Sequence, residues 1–226
     1  MTTPLKIDFV SDVSCPWCVV GLRALDQALA RLRHDFKGEL QVELRFQPFE
    51  LNPDMPAEGQ DITEHITEKY GITPAQAEAN RENIRQRGAE LGFTFSGSNA
   101  AGGGRSRIYN TFDAHRLLHW AELENLDQQK ALKEALFAAY FTDGHSPGSH
   151  TLLLNLVGQV GLSTARAQQI LASDEFADEV RAREVFYAER GIRSVPAVII
   201  NDQHLISGGQ PVEVFEQALR QIVNGR

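Results

Sequence analysis

Apolar residues alternate with polar ones at Leu5, Ile7 and Phe9, the period of a strand with one buried face. SDVSCPW breaks the alternation. From Cys18 the apolar positions fall at Leu22, Leu25, Leu29 and Leu32, which is helical spacing. Pro16 suits the first turn of that helix, where its fixed φ is favourable and its missing N–H costs little. Leu40, Val42, Leu44 and Phe46 then alternate again, a second strand ending near Pro48. Strand, helix and strand make a βαβ unit, which predicts parallel pairing.

The chain then changes period. From about Asn52 to Ala172 helical patterns dominate and no strand-like run stands out. DITEHITEKYG, TPAQAEANRENIRQRGAELG, the Tyr109–Glu124 run, QQKALKEALFAAYF and GLSTARAQQILA all read as helices. In QQKALKEALFAAYF, Leu132, Leu136 and Tyr140 with Ala131, Ala135 and Ala139 make one apolar face. Pro147 and Gly148 mark a break. Ser173 reads as the N-cap of a helix running to about Arg190, with Gly191 as its stop. SVPAVIIN and HLIS flank the turn Asn201–Asp202–Gln203, a hairpin. Gly208 and Gly209 punctuate, and Val212, Phe215, Leu219 and Ile222 give a closing amphipathic helix from Pro211. The expected order is β-α-β, a helical insertion, then α-β-β-α. SNAAGGGRSR, at 98–107, is the one flexible stretch.

Composition narrows the class. The 226 residues suit one large domain or one domain with an insertion. The net charge of −8 denies a polyanion its basic footprint, so nucleic acid is not an expected partner. No apolar run is long enough to span a bilayer, so no membrane association is expected. MTTPLKIDFV lacks the features of a secretory signal, taking Met1 as the native start. A cytoplasmic location follows, and a reducing compartment disfavours a permanent disulfide while allowing a transient one.

Both cysteines of the chain stand in SCPWCVVG. Zinc would need two more ligands, and no other cysteine exists to supply them. His115 and His119 have the i, i+4 spacing of metal ligands, but no glutamate follows the first as in a zincin. AGGGRSR lacks the GK[ST] ending of a phosphate loop. No metal and no resident cofactor are therefore expected. A staple across two residues would constrain little. Two inert core thiols would suit Cys18, which continues the apolar stripe, better than Cys15 beside a proline. As a redox pair, residues i and i+3 on a helical turn lie ~5–6 Å apart at Cβ, within reach of a disulfide. Cys15 at the helix start is favoured as a thiolate by the backbone N–H groups and the dipole. Cys18, one turn in, is more buried. Cys15 would attack a disulfide and Cys18 would resolve the mixed disulfide. Pro16 stiffens the turn, and Trp17 brings no charge that would favour the thiolate as a histidine can.

SDVSCPWCVVG, NTFDAHRLLHWA from Asn110, GIRSVPAVIIN and the late SGGQP together resemble the DsbA-like family of thioredoxin-fold proteins. The closest branch is the FrnE-like group, whose relatives include 2-hydroxychromene-2-carboxylate isomerases and kappa-class glutathione transferases. The resemblance covers nearly the whole chain. It implies an α/β thioredoxin fold, residues 1–51 and 173–226, with a large all-helical insertion, residues 52–172, over the site. It also implies a cis bond before Pro196, where an X–Pro bond is ordinarily trans, with Pro196 facing the CxxC and the Val195 backbone free to pair with substrate. Pro16, Trp17, Val195 and Pro196 are the expected substrate-binding residues.

Three functions follow in order. The first is a thiol–disulfide oxidoreductase acting on protein or small-molecule thiols and disulfides. The second is a glutathione-dependent isomerase or transferase for a small aromatic or polyketide-like molecule. Relatives of that kind carry serine where Cys15 stands, and Ser14 falls one residue early. Glutathione is a co-substrate in either. The third is a redox-switched chaperone or binding module with Trp17 and Phe49 in its cleft. A homodimer is one expected arrangement. NTFDAHR, with Asn110, His115 and Arg116, carries no role readable from its chemistry.

Overall fold

A computed structural model describes residues 4–36, 40–96 and 107–225. Strand β1 (Leu5–Ser11) is followed by helix α1 (Pro16–Asp35) and strand β2 (Val42–Pro48). β1 and β2 are parallel, with Phe9 opposite Phe46. Much later in the chain, β5 (Ala197–Ile200) and β6 (His204–Ser207) form the hairpin, and helix α9 (Val212–Asn224) closes the described chain. β5 joins β1 antiparallel, so the sheet order is β2-β1-β5-β6 with β1 inside. Between the two halves run α2 (Ile62–Tyr70), α3 (Pro74–Glu90), α4 (Phe112–Glu124), α5 (Leu126–Phe137), α6 (His150–Gln159) and α7 (Thr164–Leu171), then α8 (Ala177–Glu189) leads into β5.

The period-2 pattern of β1 sorts its side chains. Leu5, Ile7 and Phe9 join Leu22, Leu25, Leu29 and Leu32 of α1 and Phe215 and Leu219 of α9 in the main core. Val10 faces the other way, with Ala197 and with Tyr187 of α8. A second core belongs to the middle helices: Leu117, Leu132, Leu153, Leu156 and Ile170 meet there. Val13, in the loop between β1 and α1, is buried in this second core. The loop that carries the cysteines is thereby pinned to the helical segment.

A further tie joins that segment to the sheet. The fully buried Gln129 of α5 accepts from the Phe46 N–H at 3.0 Å and donates to the Phe46 carbonyl at 2.9 Å. Its amide acts as one residue of a neighbouring strand on the free edge of β2, satisfying backbone groups that would otherwise be buried without partners.

Several sequence expectations are corrected. The middle segment is not wholly helical: β3 (Gln60–Asp61) and β4 (Arg107–Ile108) pair antiparallel. Two residues are too few to show a period. Helix α6 does not declare itself in the pattern, because HTLLLNLVGQ is a short segment whose apolar residues crowd together after Pro147–Gly148. Ser173 does not cap α8. Its hydroxyl donates to Gln169 at 3.0 Å, closing the end of α7, and α8 starts four residues later, after Phe176 in the left-handed region at φ 64°. The stretch expected to be flexible, 98–107, lies outside the described residues apart from Arg107.

Candidate active site

Cys15 is the N-cap of α1 and Pro16 its first residue. The Cys18 N–H donates to the Cys15 carbonyl at 3.1 Å. Both cysteines are free thiols. Cys15 is 4% exposed and Cys18 fully buried, so the two differ in access as their positions predict. Burial pushes the Cys18 thiol up, and its hydrogen bond to Cys15 adds to the shift. The Val195–Pro196 bond is cis, and the Cys15 thiol lies 3.7 Å from the Val195 carbonyl oxygen.

Two glycines allow this approach. A Cβ on Gly21, in the second turn of α1, would stand 2.9 Å from the Pro196 ring and 3.5 Å from the Gly209 Cα. A Cβ on Gly209 would stand 3.0 Å from the Trp17 carbonyl and 3.2 Å from its indole. The head of α1, Pro196 and the SGGQP turn therefore interlock, with Trp17 half-buried between them. Phe49 joins the cluster of Val10, Tyr187 and Ile192 on the other face of the sheet, with Val195.

Behind the cysteines lies a polar cluster that sequence reasoning missed. Asp12, 1% exposed, accepts from the Ser14 hydroxyl at 3.0 Å, the Leu51 N–H at 2.8 Å and the Ser14 N–H at 3.3 Å. His115 of α4 reaches the same carboxylate at 3.4 Å through Nε2. Burial alone would push Asp12 up; the hydrogen bond and charge of His115, with the Leu51 amide, outweigh it and hold the carboxyl at about 2. Lys133 of α5 is fully buried, its ammonium 5.0 Å from the Phe137 ring centroid and in charge range of Cys18, Asp12 and Cys15. Burial brings it down to about 8, against the opposing pull of Cys18, Asp12 and Cys15. The signal for Lys133 was present. Gln129, Leu132, Lys133, Leu136 and Phe137 form the i, i+3, i+4, i+7, i+8 stripe that α5 buries, and a lysine in such a stripe is a buried charge.

The rim is supplied by the helical segment. The Leu51 carbonyl and Asn52 hold Lys69 at 2.7 Å each. Next to it the exposed Tyr70 ends α2. Its phenol is raised by partial burial and by the Cys15 charge. Arg87 of α3 stands 5.9 Å from the Trp17 ring.

The NTFDAHR residues now have partners. Asn110 caps the start of α4 by accepting from the Phe112 N–H at 2.9 Å. His115 holds Asp12. Arg116, 4% exposed, donates to the carbonyls of Ile170, Ser173 and Glu175 and to Asp113, tying α4 to the end of α7. His119 instead packs on Phe176, ring centroids 5.3 Å apart. Among the described residues no group of three or more His, Cys, Asp or Glu is placed to hold a metal ion, and no helix is long and apolar enough to cross a membrane.

Comparison with known proteins follows this geometry. A probable DsbA oxidoreductase from Streptomyces coelicolor is 32% identical, with a TM-score of 0.86 over 98% of this chain and 91% of that one. The cytosolic disulfide reductase DsbM from Pseudomonas aeruginosa, solved with GSH, is 15% identical with a TM-score of 0.65, covering 97% of this chain and 99% of that one. A 2-hydroxychromene-2-carboxylate isomerase is 14% identical with a TM-score of 0.68, covering 97% of each chain. The last two likenesses are of fold. The model of the DSBA-like thioredoxin domain matches residues 6–220. With that match spanning nearly all of the sequence, the chain belongs to the DsbA-like thioredoxin-domain family.

Proposed function

We propose that this protein is a thiol–disulfide oxidoreductase in which Cys15 is the nucleophile and Cys18 the resolving thiol. The observation that carries the reading is the unequal pair: Cys15 at the helix N-terminus against the Val195 carbonyl, Cys18 one turn deeper and bonded to it. In the reducing direction the Cys15 thiolate attacks one sulfur of a substrate disulfide. An S–S bond forms to Cys15 and the first substrate thiolate leaves. Cys18 then attacks Cys15, forming the intramolecular disulfide and releasing the second thiolate. Two electrons pass to the substrate, and the two protons of the dithiol end on the two product thiols.

The buried cluster supports the second step. Cys18, raised by burial, must lose a proton to attack. A charged Lys133 in range favours the Cys18 thiolate, and Asp12 keeps the loop and Lys133 in their charged arrangement. Oxidised enzyme returns to the dithiol by the same steps in reverse with an external thiol. Glutathione is the natural co-substrate, in line with its presence in the DsbM structure. That neighbour's cytosolic setting and the absence of cysteines beyond the pair support action in the cytoplasm.

The isomerase fold likeness does not displace this reading. Ser14, the serine nearest the nucleophile position, is 5% exposed and its hydroxyl is held by Asp12. Turnover of bis(hydroxyethyl) disulfide and of insulin by wild type and Cys15→Ser decides the matter. Activity lost in the variant is expected; no activity in the wild type would sink the proposal.

A further inference from the structure

Helix α3 carries three arginines. Arg81 and Arg85 are neutralised by Glu78 and Glu82 of the same helix, at 2.6–3.1 Å. Arg87 is different. Among the described residues its one hydrogen bond is from Nη2 to the Gly209 carbonyl, at 3.2 Å, and no carboxylate lies within ion-pair distance. A guanidinium has five N–H donors, so most of the fork is free. Among the described residues this cation stands without an ion-pair partner beside the Trp17 ring of CPWC.

Its position is tied to the head of α1 through Gly209 and Trp17. Gly209 holds the guanidinium through its carbonyl. Gly209 is itself packed on the Trp17 backbone and indole. Trp17 lies between the two cysteines in sequence, on the first turn of the helix that Cys15 caps. A planar fork with open donors over an aromatic face suits a carboxylate, which it can take bidentately. The access to Cys15 sets the size of what carries it. At 4% exposure and against the Val195 carbonyl, the thiol admits a slim disulfide rather than the flat face of a folded protein.

We propose that Arg87 and Trp17 form a subsite for the carboxylate of a small thiol or disulfide substrate, so that anionic low-molecular-weight disulfides react in preference to neutral or cationic ones. This rests on the dithiol chemistry proposed above, and it names the substrate class of that site. The exchange itself is unchanged: two electrons leave the Cys15–Cys18 dithiol, the substrate S–S bond breaks, and two carboxylate-bearing thiols are released. The carboxylate leaves the subsite with the product thiol.

The test compares three symmetric disulfides of similar size: dithiodipropionate with two carboxylates, neutral bis(hydroxyethyl) disulfide, and cystamine with two ammonium groups. Each kcat/KM is normalised to the reaction with free dithiothreitol. The wild type should favour dithiodipropionate over the neutral disulfide by about 5- to 10-fold, with cystamine lowest, and the preference should shrink with added salt. Arg87→Gln should close the gap between anionic and neutral substrates. Arg87→Lys, which keeps the charge without the fork, should keep the order. No charge preference in the wild type, or one that survives Arg87→Gln, overturns the subsite. Failure of the wild type to reduce any of the three overturns the dithiol chemistry, and the subsite falls with it.

Discussion

The Cys15 thiol sits 3.7 Å from the Val195 carbonyl oxygen, a contact between the cap of the first helix and the residue before a cis proline. Cys18 lies behind it, fully buried. This geometry orders the chemistry. Cys18→Ala should accumulate a mixed disulfide on Cys15 that mass spectrometry detects after reaction with a small disulfide. Cys15→Ser should trap none. A stable adduct on Cys18 in the Cys15→Ser protein would reverse the assigned roles.

Gly21 tests the closeness of the helix head to Pro196. In a helix, alanine is ordinarily better than glycine by about 1 kcal/mol. Here the added methyl would meet the proline ring at 2.9 Å. Overpacking of this kind costs about 1–3 kcal/mol, so the collision outweighs the helix gain. Gly21→Ala is expected to lower the urea midpoint and slow disulfide turnover together. A stabilised, fully active variant would show that the proline gives way freely.

Lys133 gives a pH dependence with a definite sign. Its folded value of about 8 lies below the ordinary 10.5. Below pH 8 both folded and unfolded chains carry the charge, and its burial costs stability. As pH rises from about 8 to about 10.5 the folded state sheds the proton first, the unfolded state holds more protons, and stability rises. At about 1.36 kcal/mol per unit the rise is on the order of 3 kcal/mol. The difference in unfolding free energy between wild type and Lys133→Met, followed across this range, should show it. Lys133→Met should also slow resolution by Cys18; unchanged resolution would confine the lysine to packing.

Asp12 runs the opposite way. Its carboxyl, held at about 2 from an ordinary 3.8, contributes stability that is complete above about pH 4 and is lost as pH falls toward 2. Asp12→Asn leaves donors facing an amide, and should cost about 1–3 kcal/mol at neutral pH. The gap between the two proteins should narrow through the acid window. A constant gap in urea titrations at both ends of the window would remove the carboxylate charge from the account.

Much of this was legible because it is local. The stripe from Cys18 to Leu32, the alternation of Leu5, Ile7 and Phe9, and the hairpin about Asn201–Asp202 each declare themselves within one element. The spacing of Cys15 and Cys18 is likewise a local signal. What stayed hidden needs two distant elements at once. Asp12 is one acid among many until His115 arrives from α4. Lys133 is hidden because the alanines of α5 suggest a different apolar face, while the buried face runs through Gln129 and Phe137. Ser173 looks like a cap in isolation, yet its hydroxyl serves the helix before it.

Arg116 separates scaffold from chemistry. Its guanidinium satisfies the carbonyls of Ile170, Ser173 and Glu175. Arg116→Met would orphan them and is expected to cost about 2–4 kcal/mol in unfolding experiments. Turnover per folded molecule should be retained, since no atom of Arg116 meets the thiols. A selective loss of turnover at unchanged stability would place it in the reaction.

The Cys15 thiol and its carbonyl partner stand 180 positions apart in the chain, and β1 receives β5 only after the helical segment has been made. During synthesis from the N-terminus, both thiols leave the ribosome while the strand that will cover them is still unbuilt. The nascent pair is thus unscreened by Val195 or Pro196. Val195 and Pro196 arrive late, after the helical segment. A chain arrested before residue 195 would keep both thiols and lack the carbonyl that Cys15 meets.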